Sequence, residues 1–230
     1  MFIFKAKLYD YIANQLFLLK KHSETVYIYD GKKCGRYCKK VIFVLILRYR
    51  VINSEGGNSM SLQLKKLDES MKEALADFMA DWKDERVVPS SLQKYSGGYE
   101  ALAEYLDTME KDPPRLMSPS TMWFLTDGEK IMGAVEVRHF LNSGLLKYGG
   151  HIGYGVAPQY RGNGYARQMV KMCMPEIRKL GLDRLLICCL ESNIASAKTI
   201  ENCGGILENS VEVIPDGKAV TGLRYWVDVK

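Results

Sequence analysis

Two glycines one residue apart, Gly162 and Gly164, separate an apolar run from an amphipathic one in the last third of the chain. The run before them, 151–156, is typical of a strand, and the run after them, 167–180, has the apolar spacing of a helix. Glycine lets the backbone turn tightly and lets a bulky ligand come close. A helix that begins here would aim free N–H groups and a positive dipole end at the turn. The stretch therefore predicts a phosphate-binding turn between a strand and a helix.

Other interpretations of this turn fit less well. A plain strand-to-helix turn is common for an isolated Gly-x-Gly and stays open. The kinase-type phosphate loop requires Gly-Lys-Ser/Thr at its end, and the turn does not contain it. The dinucleotide fingerprint requires a third small residue at position 167, which is arginine, and its acidic residue, Asp183, precedes the next apolar run instead of ending it.

Three blocks of sequence resemble the GNAT acetyltransferases. The pattern Gln159-x-x-Gly162-x-Gly164/Ala166 resembles their coenzyme A loop, and the block NIASAKTIENCGG at 193–205 resembles their second conserved block. Upstream, RHFLN at 138–142 and GGHIGY at 149–154 are similar to one bacterial subgroup of that family. The paired blocks at this spacing make the resemblance specific, and it covers roughly residues 60–230.

The resemblance implies an α/β fold of the GNAT type, with a mixed central β-sheet flanked by helices. It also implies acetyl-CoA as co-substrate and direct transfer of the acetyl group to a primary amine of a small molecule or peptide, with no covalent enzyme intermediate. The backbone N–H of Val156 would polarise the thioester carbonyl, and Asn193 would hydrogen-bond to the pantetheine arm. The residues expected to bind coenzyme A are Val156, Gln159, Arg161, Gly162, Asn163, Gly164, Tyr165, Ala166, Asn193 and Ser196.

A base must take a proton from the amine, directly or through water. The candidates near the expected site are His151, Glu136 and Glu191. His151 has the most suitable ordinary pKa, and a hydrogen-bonded structural histidine is the alternative. Many family members carry a tyrosine that protonates the departing thiolate, but the matching position here is Ile200, which has no proton to donate. Tyr154 or water could serve, or the thiolate leaves unaided, and the sequence does not choose among these.

The cysteines indicate a reducing compartment. Cys173, Cys188, Cys189 and Cys203 lie at expected core positions, where a free thiol behaves as a small hydrophobe, and a cytoplasmic location follows. A nucleophilic role for Cys188 or Cys189 is disfavoured because no His or Lys adjoins them in sequence to lower the pKa. We predict no metal site, since the lone Cys34-x-x-x-Cys38 is a weak signal for zinc.

Charge is distributed unevenly along the chain. Residues 1–59 hold eleven Lys or Arg and four Asp or Glu, whereas the remainder holds 21 and 23. The remainder is therefore not basic, which disfavours a nucleic-acid partner. Segment 68–112 holds twelve acids and five bases. These acids form either solvated helix faces or a field that attracts a cationic amine.

Residues 1–59 differ in kind from the rest of the chain. They contain none of the seven prolines or three tryptophans and are rich in residues with A/T-rich codons. The apolar run 41–47 is far too short to span a bilayer, and no secretory signal is clear. Codons for Glu-Gly-Gly at 55–57 would resemble a bacterial ribosome-binding site ahead of Met60. We expect a functional domain at 60–230 that begins at Met60; a membrane-surface extension is the alternative.

The remaining patterns predict the order of elements. They are a strand at 61–67, helices at 68–82 and 99–111, a hairpin of 121–126 and 130–139, a strand at 147–156, the helix at 167–180, a strand at 184–190, a helix at 193–202, and strands at 206–213 and 219–229. Residues 60–230 are expected to need no membrane, and a homodimer is left open. A non-catalytic acyl-CoA sensor and an NAD-binding oxidoreductase are the rival function classes.

Overall fold

The computed structural model describes residues 61–229, without the side chain of residue 216, and the backbone of 25–29 and 34–38. The chain divides into two compact units, Met1–Met60 and Ser61–Lys230. In the first unit, strands β1 (Thr25–Tyr29) and β2 (Cys34–Cys38) pair antiparallel. The apolar run 41–47 and the expected start at Met60 lie outside the described residues.

The second unit alternates strands and helices. In chain order it contains β3 (Gln63–Lys65), α1 (Lys72–Ala80), α2 (Gly98–Lys111), β4 (Ser120–Thr126), β5 (Ile131–Arg138), α3 (Ser143–Lys147), β6 (Ile152–Val156), α4 (Tyr165–Lys179), β7 (Arg184–Leu190), α5 (Ile194–Glu201), β8 (Ile206–Val213) and β9 (Val220–Asp228). Turns of 3₁₀ helix precede α1 and α2, at Glu69–Met71 and Ser90–Gly97. The order matches the sequence prediction, with α3 as an addition.

The predicted strand 147–156 is wrong in its first half. Asn142 caps α3 instead, because its side chain accepts a hydrogen bond from the Leu145 N–H at 3.0 Å. Side-chain capping by Asn favours a helix start, but α3 already ends at Lys147. Gly149 and Gly150, with φ of 134° and 67°, then interrupt the strand pattern. The strand therefore begins only at Ile152.

The strands of the second unit form two antiparallel ladders within one layer. Their orders are β3-β4-β5-β6 and β7-β9-β8. The ladders meet where Gly150 bridges Ile187 and the His151 N–H donates to Leu186 O at 2.7 Å. Beyond this point no ladder pairing joins β6 to β7 in residues 61–229. The central layer is thus split, and the two strands diverge toward their carboxyl ends.

Alternate residues of β4, β5 and β6 belong to cores on opposite faces, as the pleat requires. Met122, Phe124 and Ala134 pack with the apolar faces of α1 and α2. Trp123, Val135 and Ile152 pack with α4 and with the inner residues of β7 and β9. The apolar stripes that helical spacing predicts are buried at Met71, Leu75, Phe78 and Trp82 around α1, and at Met169, Val170, Cys173 and Ile177 in α4. The prediction is wrong for Leu180, which caps the end of α4 and is 38% exposed. Within the described part of the chain, none of the helices combines the length and apolarity that crossing a membrane needs.

Candidate active site

A cavity of about 380 Å³ opens where β6 and β7 diverge. Its wall is formed by the loop 86–90, the end of β5, the residues just before β6, β6 itself, the end of β7 and the first turn of α5. Three residues predicted for the site line it, namely Tyr154, Asn193 and Ser196. The divergence of two strands therefore creates a chamber at the place where the sequence predicted a site.

The cavity extends through the central layer from one face to the other. Gly153 and Cys188 belong to the face on which the loop 86–90 lies, whereas Tyr154 and Cys189 belong to the face of α4 and α5, because neighbours along a strand alternate. Molecules that approach from opposite faces can meet in this gap.

The glycine turn is open to solvent. Gly162 and Gly164 have φ of 80° and 77°, which favour glycine, and a Cβ placed on either would meet no atom within 4 Å. Gly164 caps α4, and the first intrahelical bond runs from the Gln168 N–H to Gly164 O at 3.1 Å. The N–H groups of 165–167 therefore lack an acceptor inside the helix. This geometry suits the oxygens of a phosphate.

Arg161 fastens the turn to the segment that comes after α1. Its guanidinium donates two hydrogen bonds to the Glu85 carboxylate, at 3.2 and 2.7 Å, and lies 5.4 Å from the centre of the Trp82 ring. The Arg161 N–H donates to Pro158 O, and the Gln159 N–H donates to Asp81 Oδ2 at 3.0 Å. These groups of Arg161 and Gln159 are thus engaged in holding the turn, and the N–H groups that remain for a phosphate come later in the loop.

The Val156 N–H points away from β5. The Ala157 N–H donates to Met132 O on β5, and alternate residues of an antiparallel strand face opposite neighbours. The backbone of Val156 therefore faces the β7 side. Consistent with this direction, its carbonyl accepts from Arg161 Nε at 3.2 Å. A hydrogen-bond donor is available at the edge of the gap.

Tyr154 extends from β6 to the first turn of α5. Its hydroxyl lies 2.9 Å from Ser196 Oγ and 3.4 Å from Ser196 O. Burial raises the pKa of Tyr154 to about 12, so its phenol carries a proton at neutral pH. Ile200 is fully buried in the core and contributes no polar group. In the described part of the site, Tyr154 therefore presents a protonated hydroxyl, whereas the side chain of Ile200 has no proton to donate.

Asn193 caps α5 with its side chain. Its Oδ1 accepts from the Ser196 N–H at 3.0 Å, and its own N–H donates to Leu190 O at 2.9 Å. Because the oxygen is held by this cap, the amide nitrogen of the side chain is turned outward from it. Asn193 is exposed and lines the cavity, so that nitrogen can donate to a ligand.

The surroundings of His151 favour the structural alternative over the role of a base. His151 is 5% exposed, and its Nδ1 accepts from the Leu186 N–H at 2.9 Å. With Nδ1 occupied, the proton of the neutral ring lies on Nε2, and neither nitrogen is free to take another. Burial, with Arg138 nearby, also lowers the pKa of His151 to about 4. Through its hydrogen bond with Leu186, the His151 ring links the two ladders, as a structural histidine would.

The two glutamates lie outside the cavity wall as the structure describes it. Glu136 is buried; one carboxylate oxygen accepts from Ser120 Oγ at 3.0 Å and the other from Arg138 at 3.2 Å. Glu191 is exposed after the end of β7, and its N–H donates to Thr221 O. Glu136 therefore supports Arg138, and neither carboxylate directly faces the gap.

The thiols are unsuited to act as nucleophiles. Burial raises the pKa of Cys188 and of Cys189, and a protonated thiol is a weak nucleophile. All four cysteines of residues 61–229 are free. Within that same range, no cluster of three or more His, Cys, Asp or Glu side chains is arranged to hold a metal ion.

The sequence did not reveal the face opposite α4. The loop 86–90 lies directly on β6, where a Cβ on Gly155 would come within 2.2 Å of Val88 O. Arg138, Tyr148 and Arg86 add the other side chains of this wall. Apart from the broken pattern around Pro89, nothing in the sequence indicated this wall, because its parts come from distant segments.

A known protein family matches most of the second unit. The model of the acetyltransferase (GNAT) domain family matches residues 61–206. No protein of curated function matches the sequence. Among solved structures, the ribosomal-protein-S5-alanine acetyltransferase from Vibrio fischeri has 17% identity and a TM-score of 0.56, covering 74% of this chain and 93% of that one.

Two further structures share the fold. A chimera of spermidine N-acetyltransferase SpeG from Vibrio cholerae and hSSAT has 17% identity and a TM-score of 0.53, covering 73% of this chain and 95% of that one. The microcin C7 self-immunity acetyltransferase MccE, solved with acetyl-CoA and AMP, has 15% identity and a TM-score of 0.51, covering 74% and 95%. At these identities the likeness concerns the fold alone.

Proposed function

Because the chain belongs to the GNAT acetyltransferase family, we propose that it moves an acetyl group from acetyl-CoA directly to a primary amine of a small molecule or peptide. The observation that carries the proposal is the gap between β6 and β7, where one cavity reaches both faces of the central layer. Two substrates that enter such a gap from opposite faces meet inside it. Holding them side by side supplies much of the rate acceleration.

We assign coenzyme A to the face of α4 and α5. The open turn at Gly162 and Gly164, with the N–H groups of 165–167 and the positive end of the α4 dipole, suits its pyrophosphate. The outward amide nitrogen of Asn193 would donate to the pantetheine arm. When bound, the coenzyme supplies the acetyl group as a thioester. Acetyl-CoA in the structure of the fold neighbour MccE supports the same donor here.

Two groups of β6 would act at the reacting atoms. The Val156 N–H would donate to the thioester oxygen and stabilise the negative charge that develops there. Tyr154 lies two residues earlier, on the same face of the strand. Its hydroxyl would give a proton to the departing sulfur. The bond to Ser196 holds the phenol in place for that step.

The amine would lose its proton to water before it attacks. The described wall of the cavity contains no Asp, Glu or His, so no side chain there is suited to take the proton directly. The neutral amine is then the reactive form. In this mechanism kcat/KM rises about tenfold for each unit by which the pH increases, until the pH reaches the pKa of the acceptor amine.

We place the protein in the cytoplasm, with residues 60–230 as the functional domain. The four free thiols of that domain suit a reducing compartment. With 21 basic and 23 acidic residues, the domain lacks the excess positive charge that nucleic-acid binding uses. The partner that we propose is the acceptor amine alone.

Two measurements test the function. Calorimetry with acetyl-CoA should detect binding, and release of free thiol in the presence of a panel of primary amines should detect turnover. Binding without turnover on any amine would contradict the enzyme and favour an acyl-CoA sensor. Binding of NAD in place of coenzyme A would contradict both and favour an oxidoreductase.

A further inference from the structure

We propose that the acceptor amine carries an anionic oxygen group, a carboxylate or a phosphate, which docks on Arg138, with Arg224 beside the same wall; this rests on the proposed acetyltransferase function. Both side chains lie on the face opposite α4 and α5. That face is the one left for the acceptor once coenzyme A is assigned to the other.

Arg138 has hydrogen-bond donors to spare inside the cavity wall. Its side chain is only 19% exposed, yet two of its five N–H hydrogens account for its bonds within residues 61–229, to Gly150 O at 3.3 Å and to Glu136 at 3.2 Å. A guanidinium this buried normally has its donors paired. Its planar fork matches the two oxygens of a carboxylate or a phosphate.

Arg224 places a second guanidinium beside the same wall. It lies opposite Cys188 in the ladder of β9 and β7, so both side chains share one face, and Cys188 lines the cavity. Arg224 is 12% exposed; it bonds Glu208 at 2.8 Å and Asn209 at 3.0 Å, while its buried Nε has no partner in the described structure. Burial raises the pKa of Cys188, and a hydrogen bond with the backbone of Gly149 and the charges of Arg224 and Arg138 oppose the rise.

The positions of the carboxylates near the cavity disfavour a cationic acceptor. The charged residues of the described cavity wall are Arg86 and Arg138, and none of the twelve acids in segment 68–112 lines it. Glu136 lies behind Arg138, and Glu208 is paired with Arg224. The expectation that this segment draws a cationic amine into the site is therefore not supported by where its acids lie. A polyamine would meet no uncommitted negative charge there.

Matched pairs of acceptors test the inference with the full chain and acetyl-CoA. The pairs are 4-aminobutyrate against 1,4-diaminobutane, alanine against alaninamide, and phosphoethanolamine against ethanolamine. We expect the anionic member of at least one pair to have a kcat/KM about tenfold or more above its partner. The first two pairs report a carboxylate and the third reports a phosphate, so the panel separates the two sources.

Arg138→Gln tests the residue. The KM of the preferred anionic acceptor should rise about tenfold or more, while kcat/KM of its partner without the anionic group changes less than about threefold. Because the change leaves buried Glu136 without its cation, the double variant Glu136→Gln/Arg138→Gln supplies a neutral, hydrogen-bonded pair and should give the same selectivity. Arg178→Gln, an exposed arginine in the last turn of α4, is the control and should behave like wild type.

The outcomes distinguish this inference from the function beneath it. Turnover that is equal for both members of every pair, or Arg138 variants that weaken acceptors with and without the anionic group alike, would overturn the inference and leave the acetyltransferase standing. Preference for 1,4-diaminobutane would do the same. Absence of turnover with every amine would overturn the proposed function, and the inference would fall with it.

Discussion

The two faces of the gap between β6 and β7 are built in different ways. On the face proposed for the cofactor, one continuous stretch, 156–166, provides a turn, a helix start and backbone N–H groups. On the face proposed for the acceptor, the wall combines side chains from the loop 86–90, β5, the segment after α3 and β7. Backbone donors bind any ligand with the right phosphates, whereas separate side chains define one ligand. We therefore expect cofactor binding to depend on one local turn and acceptor choice to depend on side chains from several segments.

The largest effect that would test this difference between the faces is expected at Gly164. Gly164→Val places a branched side chain at the mouth of the turn and should weaken coenzyme A binding by at least about 100-fold, or about 2.8 kcal/mol, measured by calorimetry. Backbone strain at positive φ costs on the order of 1–3 kcal/mol of stability on its own. Gly181→Val is the matched control, since Gly181 has φ of 76° and open space around it but lies past the far end of α4. Equal binding by both variants would remove the turn as the cofactor site.

Tyr154 comes next, because it is the side chain that we propose as the general acid. Tyr154→Phe should lower kcat by about 100-fold, since a positioned general acid contributes at least that much, and should leave coenzyme A affinity nearly unchanged. The lost bond to Ser196 costs only about 1 kcal/mol of stability. Tyr225→Phe removes a similarly buried hydroxyl, 3.3 Å from Glu201, and is the control. A kcat close to wild type would show that the thiolate leaves unaided or with a proton from water.

His151 allows a structural role to be distinguished from a catalytic role. Its folded pKa of about 4 lies below an unfolded value near 6.5, so the unfolded chain binds more protons between these pH values. The stabilising contribution is therefore complete above pH 6.5 and is lost as the pH falls through 4, by about 3 kcal/mol in total. His151→Asn keeps an acceptor for the Leu186 N–H and should flatten this part of the pH dependence in urea unfolding.

The same variant tests whether His151 takes part in the chemistry. The pH–rate profile of His151→Asn should keep the shape of the wild-type profile between pH 6 and 9, because the ring takes no proton in the reaction. If the variant loses activity chiefly at low pH within that range, His151 is the base after all and its hydrogen bond to Leu186 is broken during turnover.

The smallest effect is expected from removing residues 1–59. The family match begins at 61, and the chain divides at the same place into two compact units. We expect the chain that starts at Met60 to match the full chain in kcat/KM and in thermal midpoint. Loss of activity on truncation would contradict the expected domain boundary. A mass near 26.1 kDa for the protein isolated from its native host would contradict the expected start at Met60.

Much of the fold could be predicted from local patterns, and the exceptions have local causes. The β7 prediction, 184–190, coincides with the observed strand because a run of six apolar residues, 185–190, between polar ones allows little else. The strand predicted at 147–156 is wrong in its first half because Gly149 and Gly150 turn the chain at positive φ before residue 151. The prediction for His151 used the ordinary pKa of the residue, whereas its burial and its hydrogen bond with Leu186 depend on the fold.

The sequence by itself predicted the turn that we propose for the cofactor. A turn of two glycines followed by a helix is a local pattern within about ten positions of the chain, although Glu85 and Asp81 hold the folded turn through Arg161 and Gln159. Only the tertiary structure decided the acceptor side. Arg138, Cys188 and Arg224 come together through the pairing of β9 with β7 and the meeting of the two ladders at Gly150. Burial and charge at such a place depend on contacts between distant segments, which the order of residues along the chain does not display.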